Sequence, residues 1–434
     1  MKPYQSPERQ RYNEKMNKDT SQLDSVNKLF TEKTLEEILE KATGKPRPRI
    51  LGWSFGGGFT KGDNYLSTVN RITVKGIVEN EEVEVKLVVK SLPQNLGRRN
   101  TFRSTEFFYN EIIFYEKIIP EFEKFVKSKG QAYLLCVPRC LASHLDGQND
   151  YIALEDVSPL GFTAITRQSC LNFEECKAIL EALARFHSIS LAYKNEKPDT
   201  FKEIAHQLNE TYYHSRLWYW YEKFHSVLVR IAKDAVHKEY PGSKVEKRFN
   251  EYTSEQLFLR SVELCGRIDA PTSVISQGDS WGPNFLIRKT PENTQEVLML
   301  DFQLARCASP VLDISFFIYS CTDKNLRDEH FDDLLEVYHA ELTKSITLLG
   351  SNPATIYPTS IFLQEVKEQF IHGFTFALES VTFGVLDETF DLDVIAGDKR
   401  IDIADVWKLS NIKSQEGRQR LSDVILHAVE REFI

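Results

Sequence analysis

The chain has 434 residues, more than one core of ordinary size holds, so two lobes are expected. Hydrophobic residues make up 41% and charged residues 27%, the composition of a soluble globular protein rather than a disordered one. A formal net charge of −9 offers no basic field of the kind nucleic-acid binding needs, and that class is set aside. The opening MKPYQSPERQRYNEKMNKD has no apolar core behind its charges, so no signal peptide is expected, and no apolar run approaches a membrane span. Seven scattered cysteines read as reduced thiols of a cytoplasmic protein. Cys136 and Cys140 lack a second pair at zinc spacing and read as small buried apolar side chains.

In chain order, residues 1–45 form a polar extension closed by a helix, TLEEILEKA, with Thr34 as its cap. ILGWSFGGGFTKGDNYLSTVNRITVKGIV predicts two strands around a glycine-rich turn. EEVEVKLVVKSLP predicts a half-buried strand with Val83, Val85, Leu87 and Val89 on one face. STEFFYNEIIFYEKIIPEF follows, a helix with Phe107, Glu111, Phe114 and Ile118 on one stripe, stopped by Pro120. A carboxylate inside an apolar stripe needs a cationic partner, because an unpaired buried charge costs several kcal/mol. YIALEDVSPLGF is a further strand running into a connector near 155–162. Asn172 and Glu175 then form a capping box for the amphipathic helix NFEECKAILEALARFHSISLAY, with His187 as a buried structural residue on its apolar face. Helical patterns fill most of 200–265 and 325–434. The fold class is therefore α+β: a sheet-rich lobe at 46–157 and a larger, mainly helical lobe at 158–434.

The chemistry concentrates in QGDSWGPNFLIRK and EVLMLDFQ. TPENTQ between them has turn composition, and a hairpin centred between Glu292 and Asn293 would pair Arg288 with Val297, Leu286 with Met299 and Asn284 with Asp301. Directly opposed residues have Cβ atoms about 4.5–5.5 Å apart, so an amide oxygen and a carboxylate would share a hard cation such as Mg²⁺. A slip of one residue would put them on opposite faces. An Asp, an Asn shortly after it, and a second Asp beyond a hairpin is the arrangement phosphoryl transfer uses: Asp279 accepts the hydroxyl proton, and Asn284 and Asp301 hold metal on the phosphates. The upstream demands of that chemistry are met in order. Lys90 ends a strand, Glu111 is the helix carboxylate to hold it, and TKGDNYLS places Gly62, Asn64 and Ser67 in a turn whose backbone could approach phosphates.

KGDNYLS, VVKSLP, NEIIFYEKIIP, ALEDVSPLGF, LARFHSISL and above all LDFQLARCASPVLDISFF resemble the ecdysteroid kinase-like family, relatives of aminoglycoside phosphotransferases and choline kinases. The resemblance implies a bilobal protein-kinase-like fold that moves the γ-phosphoryl group of ATP, with Mg²⁺, onto a small-molecule hydroxyl. It implies Asp279 as base, Asn284 and Asp301 as metal ligands, and Lys90 with Glu111 as the phosphate-holding pair. The backbone from Glu155 to Val157 would receive adenine, and Asp313 would brace the catalytic loop. Gln277 stands where most members carry His, a loop-bracing place, so activity is expected to survive. A monomer without membrane or nucleic-acid partners is the default the family implies. Its attested acceptors are ecdysteroid alcohols; choline, an amino sugar or a plant metabolite is the alternative, and a catalytically silent ligand-binding relative is the rival from another class. Aromatics around Trp218 and Trp220, and the apolar run HGFTFALESVTFGV, suit a sterol wall, a cation cage or plain core packing.

Overall fold

The structure is a computed structural model that describes residues 18–56, 66–292, 294–386, 392, 395 and 397–434. Five strands build an antiparallel sheet in the first third: β1 (Arg49–Phe55), β2 (Thr68–Val78), β3 (Glu81–Ser91), β4 (Cys140–His144) and β5 (Tyr151–Glu155), in spatial order β1-β2-β3-β5-β4. The alternation read from β3 holds, with Leu87 and Val89 buried and Glu82, Glu84 and Lys86 exposed. Helix Glu32–Thr43 lays Leu35, Ile38 and Leu39 against this sheet, where they join Trp53, Ile72 and Val74 in a core of their own. That helix starts earlier than expected. Thr31 is its cap, and Thr34, at the third helical position, accepts a hydrogen bond from the Thr31 N–H at 3.2 Å. A short helix, Thr20–Val26, precedes it.

Pro120 does not stop the helix that carries Glu111. The α-helix Ser104–Ile113 passes into a π-helical turn, Phe114–Ile118, and resumes as Ile119–Ser128 with Pro120 in its first turn. There its missing N–H and fixed φ are tolerated. The wider π turn absorbs what proline would otherwise break.

The remainder is mainly helical. The capping box of helix Phe173–Glu196 forms, with the Asn172 side chain accepting from the Glu175 N–H and the Glu175 side chain accepting from the Asn172 N–H, both at 3.0 Å. Two small sheets hold the chemistry-bearing segments. One pairs β7 (Val274–Ser276) with β10 (Arg306–Ala308). The other joins β6 (Thr163–Ala164), β8 (Phe285–Lys289) and β9 (Gln295–Met299).

The β8–β9 hairpin corrects the expected register by one residue. Ile287 faces Val297, Leu286 faces Leu298 and Phe285 faces Met299, so the hairpin is centred on Glu292. The turn closes through the Thr290 N–H on the Thr294 carbonyl at 2.9 Å, an odd-numbered loop that shifts every pair by one. Asn284 therefore stands opposite Leu300, whose N–H donates to its carbonyl at 2.8 Å, and not opposite Asp301.

Candidate functional site

The site assembles where β3, the helix Ser104–Ile113, the loop after β7 and the segment after β9 converge. Lys90 lies on β3, paired across the sheet with Val69 and Ile152, and its side chain is turned towards the helix. Its ammonium donates to Glu111 Oε1 at 2.8 Å and lies 3.3 Å from Asp301 Oδ1. The carboxylate in the apolar stripe thus meets the cation its burial demanded; Glu111 is fully buried. Burial works against the Lys90 charge, but Asp301 and Glu111 outweigh it and hold the ammonium above its ordinary value. Burial first, with Asp301 also contributing, raises the Glu111 carboxyl against the opposing pull of Lys90. Phe302 stacks on Phe114, centroids 3.8 Å apart, and so ties the Asp301 segment to the π turn that follows Glu111.

Asp301 reaches this cluster although the register slip would have turned it away. Strand β9 ends at Met299, and Asp301 takes a left-handed backbone, φ 60°. A non-glycine residue holds that conformation only when its surroundings over-determine it. Here the Gln277 amide supplies the restraint, donating to the Leu300 carbonyl at 2.9 Å and the Asp301 carbonyl at 3.1 Å.

Gln277 also braces the other side of the loop. Its side-chain oxygen accepts from the Asp279 N–H at 2.7 Å and from the Ser280 hydroxyl at 3.1 Å. One amide thus supplies donor and acceptor at once, and clamps the loop from both sides. Gly278 sits at φ 84°, where an added Cβ would fall 1.9 Å from the Leu304 carbonyl oxygen; only glycine fits. Asp313 accepts from the Gln277 N–H at 2.8 Å and the Gly278 N–H at 2.9 Å. His187 Nε2 adds a third contact at 3.0 Å, and its Nδ1 meets the Tyr338 hydroxyl at 2.9 Å. Burial opposes the Asp313 charge, yet His187 and the two loop N–H groups win and keep its carboxyl below the usual range.

Asp279, half-buried, accepts from the Asn284 amide at 2.8 Å. Burial and the neighbouring Asp301 charge push its carboxyl up to about 7. The Asn284 amide nitrogen is turned to the Asp279 carboxylate and main-chain carbonyl, which leaves its side-chain oxygen accepting no hydrogen bond among the described residues. Glu111 Oε2 is likewise buried without a hydrogen-bond partner, while Asp301 Oδ1 has only the Lys90 ammonium at 3.3 Å. The Asp301 carboxylate and the Asn284 amide oxygen, on segments that Gln277 ties together, are the donor types a hard cation takes. Among the described residues no group of three or more His, Cys, Asp or Glu could hold a metal, so a cation here would complete its shell with water and phosphate oxygens.

Glu155 ends β5, with its carboxylate turned to Arg139 at 2.9 Å and its N–H given to the Arg139 carbonyl. Val157, two residues on, has an N–H with no acceptor among the described residues. Ser67 is buried at the entry to β2, its carbonyl accepting from Arg98 at 3.0 Å. Gly62 and Asn64 lie outside the described residues.

Sequence reasoning missed a polar network beneath the site. Asn110 donates to the Ala305 and Asn209 carbonyls, both at 2.9 Å, while Arg306 donates to the Gly278 carbonyl at 3.2 Å and pairs with Glu210 at 2.7 Å. An Asn beside Glu111 in an apolar helix, and an Arg in the short run LARCAS, were the available signals.

A small antiparallel sheet carrying a lysine, a helix carboxylate gripping it, and an Asp–Asn loop beside a second Asp define a phosphotransferase of the protein-kinase-like class. The chain belongs to the ecdysteroid kinase-like family, whose profile matches residues 61–351, more than half of the chain. The enzyme is a phosphotransferase with a hydroxyl acceptor. No curated protein matches it. Among solved structures it is similar to an ethanolamine kinase of Plasmodium vivax, at 13% identity over 88% of this chain and 83% of that one, with a TM-score of 0.40. It is also similar to aminoglycoside 2'-phosphotransferase-IIIa in its GDP complex (12% identity, 91% and 99% covered, TM-score 0.36) and to a microcompartment-associated aminopropanol kinase (10%, 87% and 93%, 0.34). Likeness of this degree carries nothing about acceptor or mechanism.

Proposed function

We propose that this protein transfers the γ-phosphoryl group of ATP to a hydroxyl of an ecdysteroid or another lipophilic steroid or xenobiotic alcohol. The observation that carries the reading is that Gln277 joins the Asp279–Asn284 pair to the Asp301 segment, whose carboxylate meets Lys90 and through it Glu111. Lys90, held by Glu111, grips the nucleotide phosphates. Adenine meets the backbone from Glu155 to Val157, where the Val157 N–H is free to donate. Gly62, Asn64 and Ser67 are assigned to phosphate contact, Ser67 being the one of the three among the described residues.

Asp301 and the Asn284 side-chain oxygen would hold Mg²⁺, which when bound would neutralise charge on the transferring group. Asp279 stands ready to take the proton of the acceptor hydroxyl. A carboxyl near neutrality is matched to that task, since a general base works best with a pKa close to the operating pH. Gln277 and Asp313 hold the loop so that Asp279 keeps its aim. The seven cysteines are all free, which suits a reducing cytoplasm, and we place the enzyme there as a monomer. Among the described residues no helix is long and apolar enough to cross a membrane.

The test is a phosphotransfer screen with ATP·Mg²⁺ over ecdysteroids, other sterols, choline, amino sugars and phenolic glycosides, with mass detection of products. A phosphorylated ecdysteroid or sterol is expected. Failure of saturating ATP·Mg²⁺ to raise the melting temperature would overturn the kinase reading itself.

A further inference from the structure

One buried carboxyl near the catalytic loop has no part in the chemistry above. Glu379 lies on helix Ile371–Val385, half-buried. One of its oxygens accepts from the Tyr212 hydroxyl at 2.6 Å, and the Tyr212 hydroxyl lies 3.2 Å from His225 Nε2. Its other oxygen has no hydrogen-bond partner among the described residues, and is not among the fully buried orphans. No Lys or Arg pairs with it among the described residues.

Two independent routes fix this carboxyl relative to Asp279. The first is a chain of polar contacts: Arg306 holds the Gly278 carbonyl, Glu210 holds Arg306, and Glu210 accepts from the Tyr212 N–H at 2.9 Å. The Tyr212 ring stacks on Tyr221 at 4.3 Å, and Arg103 donates to the Tyr221 hydroxyl at 3.0 Å. The second route is helix on helix. Gly373 lies so close to the helix bearing Asp313 that a Cβ there would meet the Ser315 backbone at 2.1 Å, and its N–H donates to Ser315 Oγ at 3.1 Å. Through Tyr212, Glu210 and Arg306, Glu379 is thus tied to the Gly278 carbonyl, next to Asp279.

Resting on the phosphotransferase reading, we propose that Glu379, oriented by Tyr212, binds the acceptor: it takes a second hydroxyl of an uncharged, polyhydroxylated alcohol whose reacting hydroxyl lies at Asp279. The chemistry favours a neutral acceptor over an amino alcohol. Burial first, and then the Asp279 charge, push the Glu379 carboxyl up to about 8, although the Tyr212 hydrogen bond pulls the other way. A protonated carboxyl both donates and accepts, which matches a hydroxyl, whereas an ammonium offers donors only and calls for a carboxylate. His225, driven down to about 3 by burial, stays neutral and adds no charge to the pair. The stacked Tyr212 and Tyr221 rings, with Phe376 at 5.2 Å from Tyr212, back the carboxyl with apolar surface.

Calorimetric titration of ecdysone and of ethanolamine into the full-length wild type, E379A and E379Q, each with a non-hydrolysable ATP analogue and Mg²⁺, tests this. Ecdysone should bind the wild type, weaken about tenfold to a hundredfold in E379A, and stay within about threefold in E379Q, because the amide keeps a donor and an acceptor. Unchanged ecdysone affinity in E379A would overturn the proposal. So would a wild type that binds ethanolamine but not ecdysone, or one that binds neither alcohol. The analogue titrated first into each protein separates the two readings: intact nucleotide binding with no Glu379 effect leaves the kinase standing and removes only this subsite.

Discussion

The Gln277–Asn284 loop and the Lys90 cluster are linked through Gln277 and Asp301 and are built on opposite principles. Around the loop nearly every polar group has a partner: Gln277 makes four side-chain contacts, and Asp313 takes two N–H groups and His187. In the Lys90 cluster one ammonium serves two carboxylates, and Glu111 Oε2 is buried without a hydrogen bond. A satisfied network gives a single geometry, while unsatisfied charge costs free energy until something neutralises it. The loop is thus a frame that is complete by itself. The cluster is left incomplete on the side where a metal–nucleotide would arrive.

This contrast can be broken by substitution. The largest effect is expected from Asp279→Asn, which should lower phosphotransfer by about a hundredfold to ten-thousandfold while leaving stabilisation by ATP·Mg²⁺ in thermal melts intact. Retained turnover would remove Asp279 as the base. Next, Asp313→Ala should cost about 3 kcal/mol in urea unfolding, because it strands two loop N–H groups and His187 in the interior. Glu111→Gln should barely change that unfolding free energy, since Lys90 keeps Asp301. It should raise the KM for ATP about tenfold, roughly the worth of one charge-assisted hydrogen bond. A stability loss in Glu111→Gln as large as that of Asp313→Ala would erase the distinction between frame and cluster. Gln277→His should shift stability by under about 1 kcal/mol, because an imidazole keeps one donor and one acceptor of the four contacts.

The pH dependence of stability sharpens the same contrast. The folded state depresses Asp313, so its contribution is present above the ordinary value of 3.8 and is lost as pH falls. Asp279 is raised to about 7, so its contribution favours folding at low pH and is lost as pH climbs through 7. Unfolding free energies measured at pH 5 and pH 8 should therefore fall more in the wild type than in Asp279→Asn. Equal falls would contradict the raised carboxyl.

Some of this was readable in the residues alone. Glu111 betrayed itself because a carboxylate in an apolar helical stripe has to find a cation, and Lys90 at a strand end was the candidate in reach. The alternation of β3 and the capping box at Asn172 are short-range patterns and came out as expected. The hairpin register did not, because the TPENT turn composition leaves open whether the loop is odd or even. Asp301 still reaches the cleft through a left-handed backbone that no pairing arithmetic anticipates. Pro120 misled because a π turn immediately before it has no composition signature.

What the sequence by itself determined is the set of chemical groups and their order along the chain: a strand lysine, a helix carboxylate, an Asp–Asn loop and a second Asp after a hairpin. Those follow from burial cost and from spacing within single elements, both local properties. Only the tertiary structure decided how Gln277 clamps its loop, what Asp313 and His187 hold together, and that Glu379, a hundred residues beyond Asp279, is tied through Tyr212, Glu210 and Arg306 to the Gly278 carbonyl. Contacts between distant segments depend on how helices dock, and the close approach at Gly373 that sets this docking leaves no period in the sequence to read.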